Sequence, residues 1–159
     1  MMSQTHDGAV QRVLVGINAS ERSVHTLRRA AEEARARGAT LEVLFTFPPR
    51  RPGTAFPVPP VRDEDSEDRE RSRAQVIDRL RRWLDESGVD LDDLEVEWSV
   101  IADRRPARAL VERSATADLV VVGAPGQGGS PQLSRGPSIS DQVTRHAKAP
   151  VLVVRESTS

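Results

Sequence analysis

Short aliphatic runs that alternate with amphipathic segments constrain the fold of this chain more than any other feature. The runs lie near residues 12–17, 41–47, 119–122 and 151–154, and they are rich in Val, Leu and Ile. Such continuous apolar runs are typical of parallel strands that are buried on both faces. The intervening segments carry apolar residues at helical spacing, so each strand–helix–strand unit predicts parallel pairing by a right-handed crossover.

The segments between the runs predict four helices. A first helix from Ser20 ends at Gly38, and a second ends at Gly88. A third begins with Pro106, which suits a first helical turn. The inward-facing residues that the spacing predicts for the second and the last helix are Ile77, Leu80 and Leu84, and Ile139, Val143 and Ala147.

A further strand is expected over residues 94–100, which brings the number of strands to five. Its residues alternate between an apolar set and a polar set: Leu94, Val96, Trp98 and Val100, and Glu95, Glu97 and Ser99. This alternation is typical of a strand at the edge of a sheet. Five strands and four helices in strict alternation predict an α/β domain.

The length of 159 residues suits one domain, which we expect to span residues 1–159. Residues 1–8 are mainly polar, and we interpret residues 1–10 as a flexible N-terminus. Residues 48–65 combine prolines with acidic residues, so we expect an exposed loop that leaves the core of the domain, which we call the proline-rich excursion.

Composition excludes several classes of function. The chain has no cysteine, so disulfides and thiolate chemistry are excluded. No apolar run resembles a signal peptide or a membrane span, and we expect a cytoplasmic protein that makes no membrane contact. The net charge is -1 with acids and bases interspersed, so nucleic acid is not an expected partner. Neither a P-loop nor a dinucleotide-binding glycine motif is present.

A glycine-rich stretch follows the fourth aliphatic run and precedes the last helix. Residues 123–130 read GAPGQGGS, and Gly136 is followed closely by Ser138 and Ser140. Glycines let a backbone approach a ligand closely, and N–H groups at a helix N-terminus attract anions. We interpret the stretch as a phosphate-binding loop. The alternative is a flexible connection in which Ser138 is an ordinary helix cap.

The spacing of three glycines adds a family resemblance to this pattern. Gly123, Gly126 and Gly136 are separated by two and nine residues, and with the flanking strands they resemble the signature of the universal stress protein family. The resemblance covers nearly the whole chain. It implies an open doubly wound five-stranded parallel sheet in the order 3-2-1-4-5 with helices on both faces, a Rossmann-like fold of the adenine nucleotide alpha hydrolase type.

For ATP-binding members the resemblance implies a site shared by the ends of the first and second strands and the glycine loop. The cofactor-binding residues carried over by position are Gly16, Ile17, Asn18, Ser20, Phe47, Val122, Gly123, Pro125, Gly126, Gly136, Ser138, Ile139 and Ser140. The first three would approach the adenosine, Phe47 would line the adenine pocket, and the residues from Gly136 onward would hold the phosphates.

Two positions depart from the family pattern. Asn18 stands where binding members usually carry Asp, so this position brings no negative charge for a metal, and a Mg²⁺ requirement is left open. Pro137 stands where Ser or Thr is expected, and it removes one potential N–H donor.

The resemblance implies an ATP-binding stress-response or regulatory module without dedicated catalysis. A nucleotide-free homodimeric interaction module with a degenerate glycine loop is the alternative, and a hydrolase is a third possibility. The homodimer is expected to form across the last strand, Val151 to Val154, because an aliphatic edge strand needs a partner.

Overall fold

The computed structural model describes residues 11–18, 21–47, 66–102, 105–125 and 138–155. The strands in these ranges are β1 (Arg12–Ile17), β2 (Thr40–Phe47), β3 (Val96–Ala102), β4 (Leu119–Gly123) and β5 (Val151–Val154). The helices are α1 (Glu21–Arg37), α2 (Ser66–Ser87), α3 (Pro106–Ser114) and α4 (Ile139–His146). The predicted flexible N-terminus (1–10) and proline-rich excursion (48–65) lie outside the described residues.

The strands form one parallel sheet in the order β3-β2-β1-β4-β5, as the family resemblance implied. β1 lies at the centre, where Val13, Leu14 and Val15 are fully buried. β4 beside it carries the uninterrupted run of Val120, Val121 and Val122. Continuous apolar runs therefore occupy the middle of the sheet, where helices cover both faces.

The helices divide between the two faces of the sheet. α1 and α2 pack on one face, and α3 and α4 pack on the other. Because side chains alternate along a strand, Val13 and Val15 join the first cluster while Leu14 joins the second. The connections from β1 and β4 consequently leave the sheet on opposite sides, which is the doubly wound arrangement.

Some predicted positions shift by one or two residues in the structure. β3 begins at Val96 and not at Leu94, because Leu94 closes a turn by donating its N–H to the carbonyl of Leu91. In α2 the fully buried stripe contains Val76 and not Ile77, since residues 76, 80 and 84 align on one helical face. Ile139 is 44% exposed, so the prediction that it faces inward is wrong, while Val143 is buried as expected.

A buried carboxylate lies near the amino ends of the strands, on the α3 face. Glu42 is 1% exposed, and its oxygens accept from Arg12 at 3.3 Å, Arg113 at 3.0 Å and Ser99 at 3.0 Å. Glu97 also pairs with Arg12, and this bond holds the pKa of Glu97 below its usual value. Glu97 and Ser99 both belong to the polar face that the sequence predicted for β3. These charged groups therefore meet on that face.

No helix among the described ranges is both long enough and apolar enough to cross a membrane.

Candidate functional site

The carboxyl ends of β1 and β4 lie side by side at the point where the strand order reverses. Their register pairs Val13 with Leu119 and Val15 with Val121. α1 starts beyond β1 on one face, and α4 starts beyond β4 on the other. In open α/β sheets this geometry leaves a crevice between the two connections, and ligands bind there.

Asn18 follows β1 at this crevice and is hydrogen-bonded to Ser23 in the first turn of α1. Its backbone N–H donates to the Ser23 hydroxyl oxygen at 3.0 Å, and that hydroxyl donates to Asn18 Oδ1 at 2.6 Å. Ser23 is 7% exposed, whereas Asn18 is exposed. The pair therefore anchors an exposed carboxamide to a buried hydroxyl at the tip of the central strand.

Two glycines at the strand ends make room for neighbouring side chains. A Cβ on Gly16 would lie 2.9 Å from Leu110 Cδ1, so the missing side chain lets α3 approach β1. A Cβ on Gly123 would lie 3.0 Å from Thr26 Oγ1 of α1. Gly16 therefore has a packing role, and Gly123 is an exposed residue at the carboxyl end of β4 beside α1.

α4 presents its N-terminus at the same end of the sheet. Ser138 is the N-cap residue, and its hydroxyl accepts from the N–H of Asp141 at 3.1 Å. The Oγ atoms of Ser138 and the buried Ser140 lie 3.1 Å apart. The hydroxyl of Ser138 thus performs the ordinary capping role that the alternative interpretation of this stretch predicts, and the helix N-terminus adds a partial positive charge.

The residues that the family resemblance implies for the site differ in their exposure. Ile17 and Val122 are buried, so only their backbone atoms could meet a ligand. Asn18, Gly123 and Pro125 are exposed. Phe47 ends β2, and its side chain is not described. The residues that lie outside the described ranges are Ser20, Gly126, Gly136 and Pro137.

Ser23 and Thr26 are site residues that sequence reasoning missed. Both are buried polar residues of α1, and they face Asn18 and Gly123 respectively. The signal was present, because residues 23, 26 and 30 share a helical face with the apolar positions Leu27 and Ala34. Small polar residues in the first turns of an otherwise apolar helical face indicate which part of that face lies at the carboxyl ends of the strands, where a ligand would bind.

The described part of this crevice offers few ligands to a protein-held Mg²⁺. This ion prefers carboxylate oxygens, whereas Asn18 offers a neutral amide, and the acidic side chain in the first turn of α4 is Asp141. Within the described ranges no group of three or more His, Cys, Asp or Glu could hold a metal.

A groove of about 680 Å³ lies at the opposite end of the sheet. It separates the end of α2 from the start of β3, and its lining includes Leu84, Val89, Leu91 and Trp98. None of the predicted nucleotide-binding residues lines it. Fold topology therefore argues for the crevice at β1 and β4, since strand order reverses there and not at this groove.

The universal stress protein family model matches residues 9–155 of this chain. A universal stress protein of Mycobacterium tuberculosis is 34% identical over 149 residues, which cover 91% of this chain and 45% of that protein. The chain thus spans about half the length of the curated relatives it matches.

Solved structures agree with the family model. The crystal structure of a universal stress protein in complex with cAMP has a TM-score of 0.57 at 25% identity, and the match covers 93% of this chain and 98% of that one. The universal stress protein of Archaeoglobus fulgidus in complex with dAMP has a TM-score of 0.50 at 22% identity, with 91% and 96% covered, and supports the fold alone. On its sequence and its fold, the chain is a member of the universal stress protein family.

Proposed function

We propose that this chain is a cytoplasmic stress-response or regulatory module that binds ATP at the crevice between β1 and β4. The observation that carries the proposal is the strand order, which reverses between β1 and β4: Asn18 follows β1, Gly123 ends β4, and α4 starts beyond β4. A family neighbour with the same fold was solved in complex with cAMP. An adenine nucleotide is therefore the chemical class that this crevice suits best.

We propose binding without dedicated catalysis. The hydroxyls of Ser23 and Ser138 are engaged by Asn18 and by the α4 backbone. A nucleophile needs a base within hydrogen-bond reach, and the described residues at this crevice offer no such pair. ATP turnover that is lost in Ser138→Ala would favour a hydrolase instead.

Calorimetric titration with ATP and the accompanying melting temperature test the binding proposal. A ligand that binds only the folded state stabilises it by mass action, by about 2.7 kcal/mol at 100 times Kd. We expect heat with ATP and a raised melting temperature, and a weaker response with GTP. If neither heat nor a thermal shift is seen with any adenine nucleotide, the proposal is wrong.

A pair of charge variants separates phosphate binding from helix capping. Asp is a good N-cap residue, so Ser138→Asp should keep α4 capped while it places a negative charge beside the phosphates. We expect at least about tenfold weaker ATP binding, because like charges repel in the crevice. Thr144→Asp adds the same charge to an exposed position further along α4 and should keep wild-type affinity.

The alternative function is a nucleotide-free homodimeric interaction module. Asn18 and Pro137 motivate it, because both depart from the pattern of ATP-binding members. This alternative predicts a dimer that gives no heat and no thermal shift with ATP.

We also propose a homodimer formed across β5. Within the described residues β5 pairs with β4 along one edge, and its four residues are all half-buried. An aliphatic strand with an open edge tends to pair with another chain.

A further inference from the structure

The parallel sheet ends in two edge strands, β3 and β5. In the order β3-β2-β1-β4-β5, β3 pairs with β2 on one side only, and β5 pairs with β4 on one side only. Each edge strand therefore turns one row of backbone N–H and C=O groups away from the sheet. A strand of another chain can pair with such a row, so each edge is a potential site of assembly.

The direction of the backbone groups along β3 follows from its bonds to β2. Leu41 N–H donates to Glu95 O at 2.9 Å, so the backbone groups of Glu95 face β2. These groups alternate sides with every residue, and the pairing with β2 continues without a break to Ala102. Trp98 and Val100 therefore turn their N–H and C=O groups away from the sheet.

A charged side chain of α2 binds one of these outward groups. Arg73 Nη2 donates to Trp98 O at 2.6 Å. Arg73 lies on the same helical face as Val76 and Leu80, which are buried against the sheet, so α2 places the guanidinium at the β3 edge. A strand that pairs with β3 would have to displace this charge-assisted bond. Charged side chains at an edge are one means by which proteins prevent edge pairing.

The β5 edge differs from the β3 edge. Val120 N–H donates to Pro150 O, so the outward backbone groups of β5 are those of Val151 and Val153. Within the described ranges no side chain is hydrogen-bonded to either residue. A chain that pairs through one edge forms a closed dimer about a twofold axis, whereas pairing through both edges joins copies into an open-ended polymer.

We propose that Arg73 closes the β3 edge to other copies of the chain, confines assembly to β5 and so stops it at a dimer. The inference rests on the homodimer proposed across β5 and adds the reason why growth ends there. Without the guanidinium, Trp98 O is free to accept from another backbone. Two β3 edges can then pair antiparallel about a second twofold axis.

The variant Arg73→Ala tests the closure. Alanine favours helix, so α2 should persist, and circular dichroism checks this. Light scattering coupled to size exclusion, over a series of concentrations, measures the mass. We expect the average mass to grow with concentration to at least about twice that of the wild type. A folded variant that keeps the wild-type mass overturns the inference and leaves the β5 dimer intact. If such a variant has only a lower free energy of unfolding, the bond merely fastens α2 to the sheet.

Two control variants separate the position of the side chain from its charge. Arg82→Ala removes the same side chain from another exposed position of α2, and we expect the wild-type mass. Arg73→Lys keeps a positive charge and a donor at the edge, so it should also keep the wild-type mass. If Arg82→Ala grows as Arg73→Ala does, the effect comes from net charge and the inference is wrong.

A second set of variants separates the two edges. Val153→Pro removes an outward N–H of β5, and adding Arg73→Ala to it should give a dimer and nothing larger. Adding Val100→Pro as well removes an outward N–H of β3 and should return the chain to a monomer. A dimer that persists there does not use the β3 edge and overturns the inference. If the wild type itself is monomeric, the β5 dimer is wrong, while growth of Arg73→Ala alone still supports closure of β3.

Discussion

At the scale of single residues, Gly16 shows how one missing side chain positions an element. The space that its Cβ would occupy is filled by the terminal methyl groups of Leu110, at 2.9 and 3.0 Å. Leu110 is 3% exposed, so it has little freedom to move aside. The family resemblance implies that Gly16 approaches the ligand, and the structure adds a packing role that sequence alone could not reveal, because α3 is about ninety residues away along the chain.

Gly16→Val should destabilise the fold by about 1–3 kcal/mol, because an added side chain over-packs a filled core. Leu110→Ala alone should cost about 2–5 kcal/mol through the cavity it leaves. In the double variant the new valine enters that cavity, so we expect a favourable coupling of at least about 1 kcal/mol. Chemical denaturation of the four proteins measures it, and strict additivity would show that the two residues do not compete for space.

At the scale of elements, the helix ends were the most predictable feature. Gly38 follows α1 with φ of 60° and Gly88 follows α2 with φ of 76°, both in the left-handed region. The turn after α1 is closed by bonds from Gly38 N–H to Arg35 O and from Ala39 N–H to Ala34 O. Such ends are encoded locally, because only glycine adopts this conformation without steric cost.

Gly38→Ala isolates this conformational cost, since an added Cβ would meet no atom within 4 Å. We expect a loss of about 1 kcal/mol in the free energy of unfolding, measured by denaturant titration. Gly38→Asn is the matched control, because Asn tolerates the left-handed region better and should lose less. Equal losses in the two variants would contradict a backbone origin.

At the scale of the whole molecule, the edge of β5 that faces away from β4 is where the proposed homodimer would form. Val120 N–H donates to Pro150 O, and Ala124 N–H donates to Val154 O. Because backbone groups alternate sides along a strand, the groups of Val151 and Val153 point away from β4. These are the donors and acceptors that a second copy of the chain would use.

Val153→Pro should convert the proposed dimer to a monomer. Proline removes an outward N–H and is tolerated on an edge strand, so the β4–β5 pairing should survive. Val153→Ala loses at least as much side-chain packing but keeps the N–H, and we expect it to remain dimeric. Light scattering coupled to size exclusion measures the mass, and circular dichroism checks that each variant is folded. A monomeric wild type would contradict the assembly.

The order of elements, the parallel sheet and the ends of α1 and α2 could be predicted from the sequence, because they depend on local periodicity and on glycine's backbone freedom. The contact partners of individual side chains could be identified only in the folded chain. The bonds between Ser23 and Asn18, the buried Glu42 with its two arginines, and the contact of Leu110 with Gly16 each depend on how the elements pack. The register and packing of distant segments decide such contacts, and no local spacing encodes them.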